Sequence, residues 1–246
     1  MTRWFRKSAP LEERLRIVTE RFQQSFGPSL RCILLYGSAL GTNWSSEHSD
    51  VNLVVEFDQE DTAALDLAVG LRPILQQHNI NCQWFNKDGI IRAADVFPIE
   101  LLDLKLHRKV LFGIDPMEEV AIYPSDLRLA CERLARERLL TLRTSYIACA
   151  GDEKLLRSLL LKSAPTWSAL FQAVLYLTGT PVPTDLRERA AIACEKLGFE
   201  AGAFLALYEW RIAPNSGDSA FLMQLLRSYV RSVKQLVEFL DQWSEV

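Results

Sequence analysis

The sequence predicts an α+β protein, a mixed sheet with helices in the N-terminal part followed by an all-α helical bundle. Three observations carry this expectation. Short apolar runs, Cys32–Tyr36 and Val51–Phe57, the second rich in β-branched residues, lie between stretches of helical periodicity. After Phe112-Gly113-Ile114-Asp115-Pro116 the strand-like runs largely vanish and apolar residues recur at helical spacing. Gly- and Pro-containing breaks then divide that second part into segments of helix length. The change of character places the boundary near residues 116–124 and gives two domains, 1–116 and 117–246.

In chain order, Pro10–Phe26 presents Leu11, Leu15, Ile17, Val18 and Phe22 among charged residues, an amphipathic helix stopped by Gly27-Pro28. Cys32–Tyr36 reads as a buried strand running into Gly37-Ser38. Val51–Phe57 reads as a second strand, bounded by Ser49-Asp50 and Asp58, and Asp61–Gln77 as a helix ended by His78-Asn79. Asn81–Phe85 and Phe97–Leu104 are the expected third and fourth strands, joined through Asn86-Lys87-Asp88-Gly89. Helices are expected over 125–150, 153–178, 185–197, 201–210 and 219–243, separated at Gly151, Gly179-Thr180-Pro181 and Pro214-Asn215-Ser216-Gly217.

With 246 residues, 49% apolar and 24% charged, the chain can bury a core of its own. A net charge of −3 supplies no global positive field for a polyanion, so nucleic acid is not an expected partner. The five cysteines are odd in number and never paired as C-x-x-C, which suits a reducing compartment and small buried hydrophobes rather than zinc ligands. No run of about 18 apolar residues occurs, and the basic start MTRWFRKSAP has no apolar segment behind it. A soluble cytoplasmic protein, without a membrane partner, is expected.

The chemistry-bearing residues concentrate around the first two strands. Gly37 lets the backbone approach a phosphate closely, and Ser38 with neighbouring N–H groups can donate to its oxygens. Asp50 stands at the mouth of the second strand, and position 52 projects to the same side because strand side chains alternate. A carboxylate beside a phosphate-gripping loop is what a magnesium–nucleotide complex needs.

The run Leu34-Leu35-Tyr36-Gly37-Ser38-Ala39-Leu40-Gly41, followed by Ser49-Asp50-Val51-Asn52-Leu53-Val54-Val55, resembles the active-site signature of the DNA polymerase β-like nucleotidyltransferase superfamily. The helical second half resembles the kanamycin-nucleotidyltransferase-like arrangement. The resemblance implies a nucleotidyltransferase-type mixed sheet, an NTP (ATP expected) bound at Gly37 and Ser38, and Mg²⁺ held by Asp50, Asn52 and a third carboxylate. It further implies transfer of a nucleoside monophosphate to a hydroxyl of a small molecule or a protein. One departure bears on activity: the superfamily's second aspartate is Asn52 here, an amide that can coordinate magnesium but brings no charge. The alternative is therefore a catalytically degenerate member that binds a nucleotide or a partner through the same cleft.

For the third carboxylate, a strand over 97–104 puts Glu100 and Asp103 on opposite faces, with Asp103 on the more apolar one. Glu100 is the preferred ligand or base, Asp103 the alternative, and Glu56, on the face of Asp50 and Asn52, a weaker candidate. His48 and His107 complete no ligand or nucleophile pattern. Arg128, Arg133, Arg136, Arg138 and Arg143 read as the solvated face of a long helix, and Trp167, Phe171, Tyr176, Tyr208 and Trp210 as helical core.

Overall fold

The computed structural model describes residues 10–40, 50–58, 61–198, 202–212 and 218–243. In chain order these form α1 (Leu11–Phe26), β1 (Leu30–Tyr36), β2 (Val51–Phe57), α2 (Asp61–Gln77), β3 (Ile80–Asn86), α3 (Gly89–Arg92), α4 (Pro98–Leu106) and β4 (Arg108–Gly113). They continue as α5 (Pro124–Cys149), α6 (Glu153–Leu177), α7 (Leu186–Leu197), α8 (Gly202–Ile212) and α9 (Ser219–Gln242). The fold class is α+β, as expected. The expected break at 214–217 and Ser49 of the motif lie outside the described residues, as does the side chain of Ser38.

Two compact units arise, interleaved along the chain: the described residues up to Ala94 with Leu104–Ala121, and Asp95–Asp103 with the described residues from Ile122 onward. The first holds a four-stranded mixed sheet in the order β3-β2-β1-β4. β1 is antiparallel to β2 and to β4, whereas β2 and β3 run parallel, joined through α2 as a parallel pair requires. Alternation along the strands sorts the faces. Ile33 and Leu35 of β1 and Val51, Leu53, Val55 and Phe57 of β2 pack with Leu15, Val18, Phe22 and Phe26 of α1 and with Ala64 and Leu71 of α2. The opposite face carries Cys32, Leu34, Val54 and Glu56, also buried.

At its far edge the sheet is closed by a position only glycine can occupy. Gly113 ends β4 with φ +79°, and a Cβ there would lie 1.8 Å from the Arg31 carbonyl oxygen.

The strand expected over Phe97–Leu104 does not form. Those residues belong to α4, and the fourth strand is Arg108–Gly113 instead. Pro98 at the first helical turn has its φ preset for a helix and no N–H to lose. Ile99, Leu101, Leu102 and Leu104 are buried while Glu100 and Leu106 are exposed and Asp103 half-buried, a spacing of three that fits a helix and not a strand.

The second unit is helical. Asp152, Asp185 and Asp218 accept hydrogen bonds from the first-turn N–H groups of Leu155, of Arg187 and Glu188, and of Phe221, fixing the starts of α6, α7 and α9. Trp167 of α6, Phe204 of α8 and Tyr229 of α9 form a ring cluster with centroids 5.4 to 5.6 Å apart. Trp167, Phe171 and Tyr208 are core residues as expected, whereas Tyr176 is 36% exposed. Among the described residues no helix is long and apolar enough to cross a membrane.

Candidate functional site

Strand register assembles a row of side chains at one end of the sheet. Asn81 of β3 pairs with Asn52 of β2, Asn52 with Tyr36 of β1, and Tyr36 with Arg108 of β4. Paired residues point to the same side of a sheet, so these four share a face, the one opposite α1 and α2. Asp50 stands one residue before β2, exposed, and its Oδ2 accepts a hydrogen bond from Asn81 Nδ2 at 3.1 Å.

β1 ends where the chain turns through a short 3₁₀ segment, Gly37–Leu40. Gly37 has φ +78°, a conformation costly for residues with a Cβ, and a Cβ at that position would meet Asn52 Nδ2 at 3.3 Å. The loop backbone and the Asn52 amide are therefore neighbours. Gly37, Asp50 and Asn52, singled out from the sequence, are brought together at this sheet end, and the backbone of Ser38 follows Gly37 in the turn.

Two participants were not recognised in the sequence. Asn81 engages Asp50 only because β3 runs parallel to β2, a register that the separate strands do not announce. Arg108 joins the row because β4 begins there. Its Nε donates to Asp115 Oδ2 at 2.7 Å, and its guanidinium also donates to the Lys105 carbonyl, so its charge is engaged within the unit.

Glu56 shares the face of Asp50 and Asn52 but not their location. Six residues at about 3.3 Å each place it about 20 Å along the strand from Asp50. It is buried, accepting from Arg31 Nε at 3.3 Å and from the Asp88 backbone N–H at 3.2 Å. Burial pushes its carboxyl above the ordinary value, an effect that Arg31 and the Asp88 N–H partly offset. Glu56 is a structural carboxylate rather than a partner of Asp50.

Glu100 and Asp103 both lie on α4 and, in the division into compact units, belong with the helical one. Helical geometry puts positions three apart on one side, so the face argument that preferred Glu100 no longer applies. A different distinction separates them: Glu100 is exposed, whereas Asp103 accepts from Gln172 Nε2 at 3.2 Å.

The donor set bears on which metal complex fits. Among the described residues no group of three or more His, Cys, Asp or Glu side chains converges as a metal cage. Asp50 offers one carboxylate and Asn52 one amide oxygen, while β3, reading Ile80-Asn81-Cys82-Gln83-Trp84-Phe85-Asn86, carries no acid. One carboxylate is enough for a magnesium ion whose other ligands are phosphate oxygens and water, and too few for two bridged ions. The residues present fit a single Mg²⁺ delivered with a nucleotide. The cysteines add nothing to this site. Burial pushes the thiols of Cys32, Cys82, Cys131 and Cys194 up to about 12, which keeps them protonated and unreactive.

No family model matches the sequence, and no curated protein matches it. Among solved structures, the spectinomycin adenyltransferase AAD(9) from Enterococcus faecialis, determined with ATP and spectinomycin, matches with a TM-score of 0.56 at 13% identity. The match covers 92% of this chain and 100% of that one. At such identity the likeness is one of fold: the chain carries a nucleotidyltransferase-type fold.

Proposed function

We propose that the protein is a Mg²⁺-dependent nucleotidyltransferase that moves a nucleoside monophosphate from an NTP to a hydroxyl of a small molecule or a protein. The observation that carries this reading is the contact at the sheet end, where the left-handed Gly37 backbone lies against Asn52 with the exposed Asp50 carboxylate two positions before it. The adenyltransferase of similar fold, bound to ATP and a small-molecule acceptor, supports ATP as the donor and a small hydroxylated acceptor.

In this reading Gly37 and Ser38 hold the triphosphate, and Asp50 with the Asn52 amide oxygen holds the magnesium that accompanies it. The ion supplies charge neutralisation on the phosphate oxygens. Asn81 orients Asp50 through the 3.1 Å hydrogen bond. The acceptor oxygen bonds to the α-phosphorus, the bond from that phosphorus to the bridging oxygen breaks, and pyrophosphate leaves. Glu100, exposed and free of the contact that engages Asp103, is proposed as the third carboxylate and the base that takes the hydroxyl proton.

A second reading, a nucleotide- or partner-binding module without turnover, is favoured by the Asp-x-Asn sequence and by an Asp50 already engaged by Asn81. Calorimetric titration with Mg²⁺ and each NTP, on the wild type and Asp50→Ala, separates the possibilities. Magnesium-dependent binding that Asp50→Ala abolishes supports a nucleotide site, and pyrophosphate release on adding an acceptor supports transfer. Binding without release under an acceptor screen supports the module. An absence of binding to every NTP overturns both nucleotide readings.

A further inference from the structure

The helical unit contains a pocket of about 420 Å³ between α5, α6 and α9, lined by residues of that unit alone. Its size falls within the range of small-molecule sites, and its body is apolar, with Leu142, Leu155, Leu159 and the ring of Trp167 among its walls. Two cations, Arg138 and Lys162, line it as well, both with exposed side chains. Among the described residues no carboxylate does.

Arg138 stands apart from its neighbours on α5. Arg128 and Arg136 both pair with Glu132, Arg136 also reaches Asp241, and Arg133 pairs with Glu137. Among the described residues neither Arg138 nor Lys162 forms an ion pair. Two positive residues without an ion pair among the described residues therefore line one apolar recess. An apolar wall raises the influence of charges beside it by excluding water, so the recess favours anions and repels cations. A further feature concerns the wall itself: Trp167 is 1% exposed, and its indole N–H has no hydrogen-bond acceptor among the described residues. A buried donor without an acceptor is rare in a native protein and marks a place where a ligand or water completes the structure.

We propose that this pocket is a binding site for an amphipathic anion, a molecule with an apolar body and one carboxylate or phosphate head. The body lies against Leu142, Leu155, Leu159 and Trp167, and the head sits between Arg138 and Lys162. The site is lined by the helical unit alone, and the proposal does not rest on any nucleotidyl transfer.

Calorimetry with ligands that share one body and differ in the head tests this: octanoate, octyl phosphate, octylammonium and octanol, all below their aggregation thresholds. One or both anions are expected to bind more tightly than octanol and octylammonium, and the tighter anion identifies the head group. In the double variant Arg138→Gln/Lys162→Gln the anions are expected to weaken about tenfold, towards the affinity of octanol, since two partly exposed charge contacts are lost. Both positions are exposed, so near-ultraviolet circular dichroism of the variant is expected to match the wild type. Octylammonium binding as tightly as the anions, neither anion binding, or an affinity for anions unchanged in the double variant would each overturn the proposal.

Discussion

Replacing Asn52 by Asp supplies, with no change in side-chain size, the second carboxylate that the proposed metal site lacks. Asp50 and position 52 are two residues apart, about 6.6 Å at the rise of a strand, and face the same side. Two unit charges at that separation repel by about 0.6 kcal/mol in water and by about 2.5 kcal/mol at an effective dielectric of 20. Asp50 is exposed, so the lower figure governs. Without magnesium, Asn52→Asp is expected to lower the Tm of the sheet unit by roughly 2–4 °C. With Mg²⁺·ATP the second carboxylate becomes a charged ligand in place of a neutral amide, and an affinity gain of about tenfold adds about 1.4 kcal/mol at saturating ligand. The Tm then rises by roughly 3–6 °C, and the net effect changes sign. The assay is differential scanning fluorimetry of wild type, Asn52→Asp and Asp50→Ala across Mg²⁺ alone, ATP alone and both together. A variant whose Tm responds to Mg²⁺·ATP no more than the wild type does would refute the placement of the metal at Asp50 and Asn52.

Three further outcomes follow from the sheet. Gly113→Ala should lower stability by about 3 kcal/mol or more, because the left-handed backbone and the overlap with the Arg31 carbonyl add; thermal melts should show the sheet unit losing roughly 12 °C or more. Gly37→Ala should cost about 1–2 kcal/mol through its backbone and push the Asn52 amide by tenths of an ångström, so calorimetry should find Mg²⁺·NTP affinity reduced by more than stability alone accounts for. Glu56, whose folded-state carboxyl is pushed above its ordinary value of 4.5, binds its proton more tightly folded than unfolded, so its contribution is present below pH 4.5 and declines as pH rises through the raised value. Urea titrations of Glu56→Gln between pH 4 and 7 should therefore show the variant gaining on the wild type as pH rises, and a constant difference would contradict the burial argument.

Much of the sheet and nearly all the helices were legible from periodicity and punctuation. Val51–Phe57 and Asp61–Gln77 form over the residues expected, because one is a β-branched run between polar stops and the other a long amphipathic stretch closed by His78-Asn79. Phe97–Leu104 was misread because a short apolar run reads alike as a buried strand or a buried helical turn; Pro98 opens a helix. Arg108–Gly113 escaped notice since its charged start and single alternation resemble a loop; antiparallel pairing with β1 makes it a strand. The same limit applied to the site. Gly37, Asp50 and Asn52 follow from local sequence, whereas the hydrogen bond from Asn81 to Asp50 depends on a parallel register set by the length of α2. Alternation placed Glu56 on the correct face but could not show that Arg31 and Asp88 already satisfy it.

If the proposed function holds, the Asp-x-Asn sequence and the Asn81 contact together predict a strong coupling between magnesium and nucleotide. With a single carboxylate, already accepting one hydrogen bond from an amide, the sheet end has little charge with which to strip water from free Mg²⁺, an ion that dehydrates reluctantly. On the proposed function a triphosphate would supply the missing negative charge, so metal and nucleotide would each raise the affinity for the other by the same factor. On the proposed function, the amide at position 52 would then leave the protein indifferent to magnesium alone and responsive to magnesium with a nucleotide. A site with two aspartates would hold the free ion more readily and show weaker dependence on the nucleotide. The coupling between Mg²⁺ and ATP should accordingly be larger in the wild type than in Asn52→Asp, even though the variant binds the complex more tightly.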